Sequence, residues 1–312
     1  MTQNILVTGG AGYLGSTLVP KLLSKDFKVT VVDNFMYDQT SLNNCSYYEN
    51  FEIINADIRS EDVMKSVLKK ADIIIPLAAL VGAPICKKDP IAASTTNHDA
   101  IIMMLKNLSK NQIVLMPTTN SAYGTGDDNN FCNEESPLNP ISQYAIEKVE
   151  IEKHLMEREN SISFRLATVF GMSPRMRIDL LVNDFTFRAV KDKFVVLYES
   201  HFKRNYIHVK DVTNVFLHAL NNFKSMKSNI YNVGLSDANL SKKELCEAIQ
   251  LHIPDFTYFE HKIGKDPDQR NYIVSNDKIE KTGFKPEVSL DKGIKDLIKG
   301  YKMIRNTKYG NV

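Results

Sequence analysis

A short apolar run, Ile5-Leu6-Val7, leads into Thr8-Gly9-Gly10-Ala11-Gly12-Tyr13-Leu14-Gly15, and helical periodicity follows over Leu14–Ser24. Strand, glycine-rich turn and helix in that order form the context that dinucleotide binding needs. Glycines there permit the tight turn, let backbone approach a pyrophosphate, and let the helix pack close to the strand. The helix N-terminus offers unpaired N–H groups and a positive dipole end to phosphate. Gly9, Gly12, Tyr13, Leu14 and Gly15 are therefore the first cofactor candidates.

The rest of the first half repeats this alternation. Ile5–Thr8, Lys28–Val32, Phe51–Asn55, Asp72–Leu77, Gln112–Met116 and Ser163–Ala167 read as strands covered on both faces. Helices are expected at Leu14–Ser24, Ser60–Lys69, Ile91–Leu108 and Ser142–Glu159. The pattern predicts an α/β fold, a doubly wound parallel sheet with right-handed crossovers. After Gly171 the rhythm changes. Helices near Asp179–Lys191, Asp211–Asn221 and Lys242–Leu251 alternate with strands near Phe194–Leu197, Tyr206–His208 and Ile230–Val233, and Leu290–Arg305 ends the chain. This gives a dinucleotide-binding lobe over 1–170 with a return near 205–235, and a smaller substrate lobe from 171–204 and 236–312.

Asp33 ends the second strand, where a carboxylate accepts both ribose hydroxyls and repels a 2′-phosphate. No Arg stands in Asn34–Thr40, so NAD is favoured over NADP, with Asn34 beside it. Asp57 and Ile58 are placed to flank adenine, although Asp57 also reads as a helix cap. Leu77, Ala78 and Ala79 end the fourth strand with side chains small enough for a dinucleotide to lie against.

Thr118-Thr119-Asn120-Ser121-Ala122-Tyr123-Gly124 follows the fifth strand, and Tyr144-Ala145-Ile146-Glu147-Lys148 opens a helix. Tyr144 and Lys148 lie one turn apart on one helix face. A free tyrosine, with a pKa near ~10, is a poor base at neutral pH. A positive charge ~4 Å away favours its phenolate by about 4 kcal/mol at an effective dielectric of ~20, before desolvation opposes it. Tyr144 is then poised to take a hydroxyl proton while hydride leaves the same carbon, with Thr119 holding the substrate oxygen.

At these residues the chain resembles the extended short-chain dehydrogenases/reductases, in the nucleotide-sugar epimerase/dehydratase family, over essentially its whole length. The glycine fingerprint, the Tyr144/Lys148 pair and Thr119 four residues before Tyr123-Gly124 carry the resemblance. It implies cofactor contacts from Asn97, Ala78 and Leu166, with Arg165 on the nicotinamide side. Arg204-Asn205-Tyr206-Ile207-His208-Val209 resembles the family's Arg-Asp-Tyr-Ile-His-Val, whose Arg binds a nucleotide diphosphate. The implied substrate contacts are Val81, Thr119, Asn120, Ser121, Thr168, Asn183, Arg204 and Arg270, together with Arg175 and Arg177. Thr168, the 118–121 sequence, Ser173–Arg177 and Asp266–Arg270 resemble a narrower branch, the GDP-heptose 4-dehydrogenases of capsule synthesis.

The resemblance thus implies NAD-dependent oxidation at C4 of a nucleotide-diphospho-sugar, with a keto acid as a plausible outside hydride acceptor. A nucleotide-sugar 4-epimerase is the alternative. Dehydration is disfavoured, because Asn120-Ser121 occupies the place of the dehydratases' Asp-Glu. Met103-Met104 and Ile101-Ile102 exceed the needs of one buried face, and the family pairs this helix with Ser142–Glu159 in a homodimer. A formal net charge of +2 argues against a nucleic-acid or membrane-surface partner. Cys45, Cys86, Cys132 and Cys246 lack metal spacing and read as free thiols of a cytoplasmic protein; no metal site is expected.

Overall fold

The computed structural model describes residues 3–124, 131–261 and 271–304. Its strands are β1 Asn4–Thr8, β2 Lys28–Asp33, β3 Phe51–Asn55, β4 Ile73–Pro76, β5 Ile113–Thr119, β6 Phe131–Cys132, β7 Ser161–Leu166, β8 Thr168–Phe170, β9 Phe194–Tyr198, β10 Lys203–His208, β11 Asn229–Val233, β12 Asn239–Ser241, β13 Thr257–His261 and β14 Ile273–Val274. A seven-stranded sheet runs in the order β11-β7-β5-β4-β1-β2-β3, every pair parallel. The order reverses between β1 and β4. In open α/β sheets the crevice at such a point, outside the strands' carboxyl ends, is where ligands bind.

Strand periodicity explains how both faces are filled. Ile5, Val7, Val31, Ile75, Leu115 and Phe164 enter one core with the helices Gly15–Leu23 and Val209–Asn221. Leu6, Ile74, Val114 and Met116 enter another with Met64, Met104, Ile151 and Leu155. The exception to full coverage is β3. As the sheet's edge it leaves Ile53 44% exposed, so the expectation of six fully covered strands fails there.

One further expectation is corrected. The helix expected at Ile91–Leu108 is divided into Pro90–Ser94, a π-helical turn Thr95–Asp99, and Ala100–Lys106. Within it Ile101 and Met104 are buried inside the protomer, while Ile102 and Met103 are half-buried. Of the two strands in the 205–235 stretch, only β11 enters the large sheet. β10 sits between β8 and β12 in a separate mixed sheet, parallel to one and antiparallel to the other. Two parallel pairs, β9 with β13 and β6 with β14, form the remaining small sheets among the described residues.

Candidate active site

The turn after β1 is shaped by its glycines. Gly9 has φ +66°, and a Cβ there would lie 2.5 Å from the Ala78 backbone nitrogen. A Cβ on Gly15 would meet Gly10 backbone at 2.4 Å, so helix Gly15–Leu23 packs directly on the turn. That helix has no side-chain cap and no acidic residue in its first turn. Both properties suit an anion.

A cleft of about 640 Å³ opens at the carboxyl ends of the strands. From the glycine turn and β2 it takes Gly9, Gly12, Tyr13, Leu14, Gly15, Asp33 and Asn34, and beyond β3 Asp57 and Ile58. Leu77, Ala78, Ala79 and Val81 line it after β4, then Thr119, Ser121, Tyr144, Lys148, Leu166 and Thr168. Arg175 and Arg177, after β8, and Arg204, on β10, also line it.

At the β2 end, the Asp33 carboxylate accepts N–H bonds from Ala11 and Phe35, both at 2.9 Å. Burial pushes its pKa up, and these donors pull it back. Asp57 accepts from the Arg59 backbone at 2.9 Å and from its guanidinium at 2.6 Å, which holds the carboxyl below its usual value. It therefore folds back on Arg59 instead of capping the helix Glu61–Leu68. Arg59 and Tyr37, neither singled out from sequence, also line the cleft. Arg59 lay two residues from a named Asp; Tyr37 carried no signal.

At the other end, the Thr119 hydroxyl accepts from Ser121 N–H at 3.1 Å and donates to the Ser121 hydroxyl at 2.9 Å. The helix Gln143–Met156 is capped by Ser142, whose hydroxyl accepts from Ala145 N–H. Lys148 Nζ lies 5.9 Å from the Tyr144 ring centre and donates to Pro117 O at 3.5 Å. Lys148 is 4% exposed, and burial brings its pKa down to about 8 against the opposing charge of Glu147. The cleft thus brings a phenol, a buried amine and a hydroxyl together.

Several expected contacts lie elsewhere. Asn97 sits in the π-helical turn and does not line the cleft. Its amide donates to Leu80 O at 2.9 Å and accepts from Leu80 N–H at 2.8 Å, which fixes the backbone after β4. Asn183 is likewise buried behind the wall, bonded to Gly171 N–H, Arg177 O and Tyr13. Asn120 is fully buried, off the wall, with neither amide atom hydrogen-bonded. Arg165, expected on the nicotinamide side, points away and pairs with Glu152. Arg270 lies outside the described residues.

The profile of the NAD dependent epimerase/dehydratase family matches residues 5–234. A Methanocaldococcus jannaschii protein named "Putative UDP-glucose 4-epimerase" is 27% identical, over 96% of this chain and 98% of that one. UDP-glucuronic acid decarboxylase 1 of Danio rerio is 27% identical, over 95% of this chain and 72% of that one. The crystal structure of a Thermotoga maritima UDP-glucose 4-epimerase with UDP-glucose superposes with a TM-score of 0.83 at 25% identity, over 96% of this chain and 99% of that one.

Proposed function

Because the chain belongs to the NAD dependent epimerase/dehydratase family, we propose that it is a nucleotide-sugar 4-epimerase working by transient oxidation at C4. It is an NAD-dependent enzyme on nucleotide sugars. The observation that carries the finer reading is that one cleft is lined by Thr119, Tyr144 and Lys148 together with Arg177 and Arg204. Bound NAD supplies a hydride acceptor that can return what it takes. The glycine turn, the uncapped helix and Asp33 fit its diphosphate and ribose.

In this reading the Tyr144 phenolate takes the C4 hydroxyl proton and later gives it back. The Lys148 ammonium stabilises that phenolate, and Thr119 holds the C4 oxygen. Arg204 grips the sugar nucleotide's diphosphate through a guanidinium fork, while the fork of Arg177 is held by Asp179 and adds its charge at longer range. Val81, Ser121 and Thr168 line the space left for the sugar. The position that carries acid–base groups in dehydratases holds a buried Asn120 and the hydroxyl of Ser121, and neither replaces a carboxyl pair. Homodimer assembly through the helices at 100–106 and 143–156 belongs to the same proposal, with sedimentation equilibrium as its test.

A net 4-dehydrogenase of the GDP-heptose type shares the first half-reaction. Its basis is the sequence departures at 118–121 and 168, and the relatives above, named for UDP sugars, favour the epimerase. The two are separated by incubating NAD-loaded protein with UDP-glucose, with and without a keto acid. The expected result is catalytic appearance of the C4-inverted sugar without acceptor and without standing absorbance at 340 nm. Accumulated NADH, with turnover only on adding the keto acid, would decide for the dehydrogenase.

A further inference from the structure

The segment after β8 is fastened to the phosphate-binding turn. The Tyr13 hydroxyl donates to Gly171 O at 2.7 Å, and the Ser173 hydroxyl donates to Tyr13 O at 2.7 Å. The hydroxyls of Ser16 and Ser173 meet at 2.9 Å, and Arg175 N–H donates to the Ser16 hydroxyl at 3.2 Å. Asn183 pins the same stretch from behind through Gly171 N–H and Arg177 O. The segment therefore rides on the first turn of helix Gly15–Leu23, on the side where β1 and β2 end.

This carriage decides where Arg175 arrives. Its guanidinium carbon stands 4.3 Å from the centre of the Tyr37 ring, in the loop after β2, a stacked cation–π contact. Asp33 is near enough to feel the charge, and Arg175, Tyr37 and Asp33 all line the cleft. Arg175 is 5% exposed, and the charge of Arg177 works against its own. The guanidinium of Arg177 is held by Asp179, and that of Arg175 brings a further positive charge to the cleft, to which an arriving anion is attracted. The anion whose place is marked by Asp33 and the glycine turn is the dinucleotide.

We propose that Arg175 serves the cofactor and not the sugar nucleotide: stacked on Tyr37, it pairs with the dinucleotide's diphosphate and closes the adenosine end of its groove. The residue comes from outside the βαβ unit that carries the glycine fingerprint. The proposal rests on NAD use by this cleft and is independent of which sugar is processed.

Titration calorimetry of NAD into cofactor-stripped protein tests it, with UDP as the probe for the sugar-nucleotide side. Arg175→Met, which keeps the stem and loses the charge, should weaken NAD binding at least ten-fold and leave UDP affinity within two-fold. Arg175→Lys should fall between Met and wild type. NAD affinity within two-fold of wild type in Arg175→Met, or a loss confined to UDP, would overturn the assignment. If Arg175→Met does not fold, Tyr37→Leu removes the shelf under the guanidinium and carries the same expected loss and the same overturning result. A wild-type protein that binds no NAD would instead refute the cofactor reading itself, a different outcome from an insensitive variant.

Discussion

Glu152 and Arg165 meet as a buried ion pair behind the strand end that carries Thr119, the guanidinium reaching the carboxylate at 2.5 Å with side chains 4% and 6% exposed. The second carboxylate oxygen accepts from the hydroxyls of Thr118 and Ser163, at 3.1 and 2.6 Å. One carboxylate thus joins the helix of Tyr144 and Lys148 to β5 and β7. Removing one partner of such a pair costs about 3–5 kcal/mol, because a charge is left buried and unmatched. Glu152→Leu should lose that much stability in urea denaturation, and Glu152→Leu with Arg165→Met should regain most of it.

The Lys148 pKa of about 8 sets an alkaline limit. In the proposed mechanism the ammonium, charged below that value, assists the Tyr144 phenolate; above it that assistance is lost. A plot of kcat against pH should therefore fall as pH rises through about 8. In Lys148→Arg the guanidinium stays protonated, so any residual activity should lack that alkaline limb.

Tyr144→Phe removes only the phenolic oxygen. The variant should keep its fold and bind NAD as before, and should show less than a tenth of wild-type turnover in a stopped-flow assay at 340 nm. Arg204→Ala should raise the KM for the sugar nucleotide ten-fold or more, the scale of a lost charge-assisted contact of roughly 1.5–3 kcal/mol. Its NAD affinity should change little.

His208 sits at the N-terminus of helix Val209–Asn221, its ring nitrogen Nδ1 accepting from Lys210 N–H at 3.2 Å. Burial pulls its pKa down from 6.5 to about 4. The folded state therefore binds this proton less well than the unfolded chain, and stability falls as pH drops from about 6.5 toward 4. At 1.36 kcal/mol per unit the full loss is roughly 3 kcal/mol. His208→Asn keeps a capping group and carries no titration, so the acid slope in a thermal denaturation series should flatten.

The parts of the site legible in sequence are those in which local geometry and chemistry coincide. The glycines of the first turn, Asp33 at a strand end, and Tyr144 and Lys148 one helical turn apart need only short-range spacing to be found. Asn97, Asn120, Asn183 and Arg165 stand at positions where the resemblance implies ligand contacts. The structure hides all four behind the cleft wall, since each answers to a partner distant in sequence: Leu80 for Asn97, Gly171 and Tyr13 for Asn183, Glu152 for Arg165, while Asn120 is simply enclosed. The π-helical turn at Thr95–Asp99 is not legible in the sequence, because nothing in helical periodicity marks one extra residue per turn. The separate placement of β10 depends on its pairing with β8 and β12, and strand composition does not encode partners.

The last strand of the large sheet, β11, is encoded after β9 and β10 have been made. Until Asn229–Val233 leaves the ribosome, β7 is an open edge, with Ile162, Phe164 and Leu166 on one face and no neighbour on its outer side. Such an edge is a template for pairing with foreign strands. The large sheet is therefore complete only once residue 233 has been made, and a gene fragment stopping before residue 229 should encode a product with an open strand edge. The same threading separates β10 from β12, its partner in the small sheet, by the strand that finishes the large one, so the small sheet is not encoded as a single contiguous cassette.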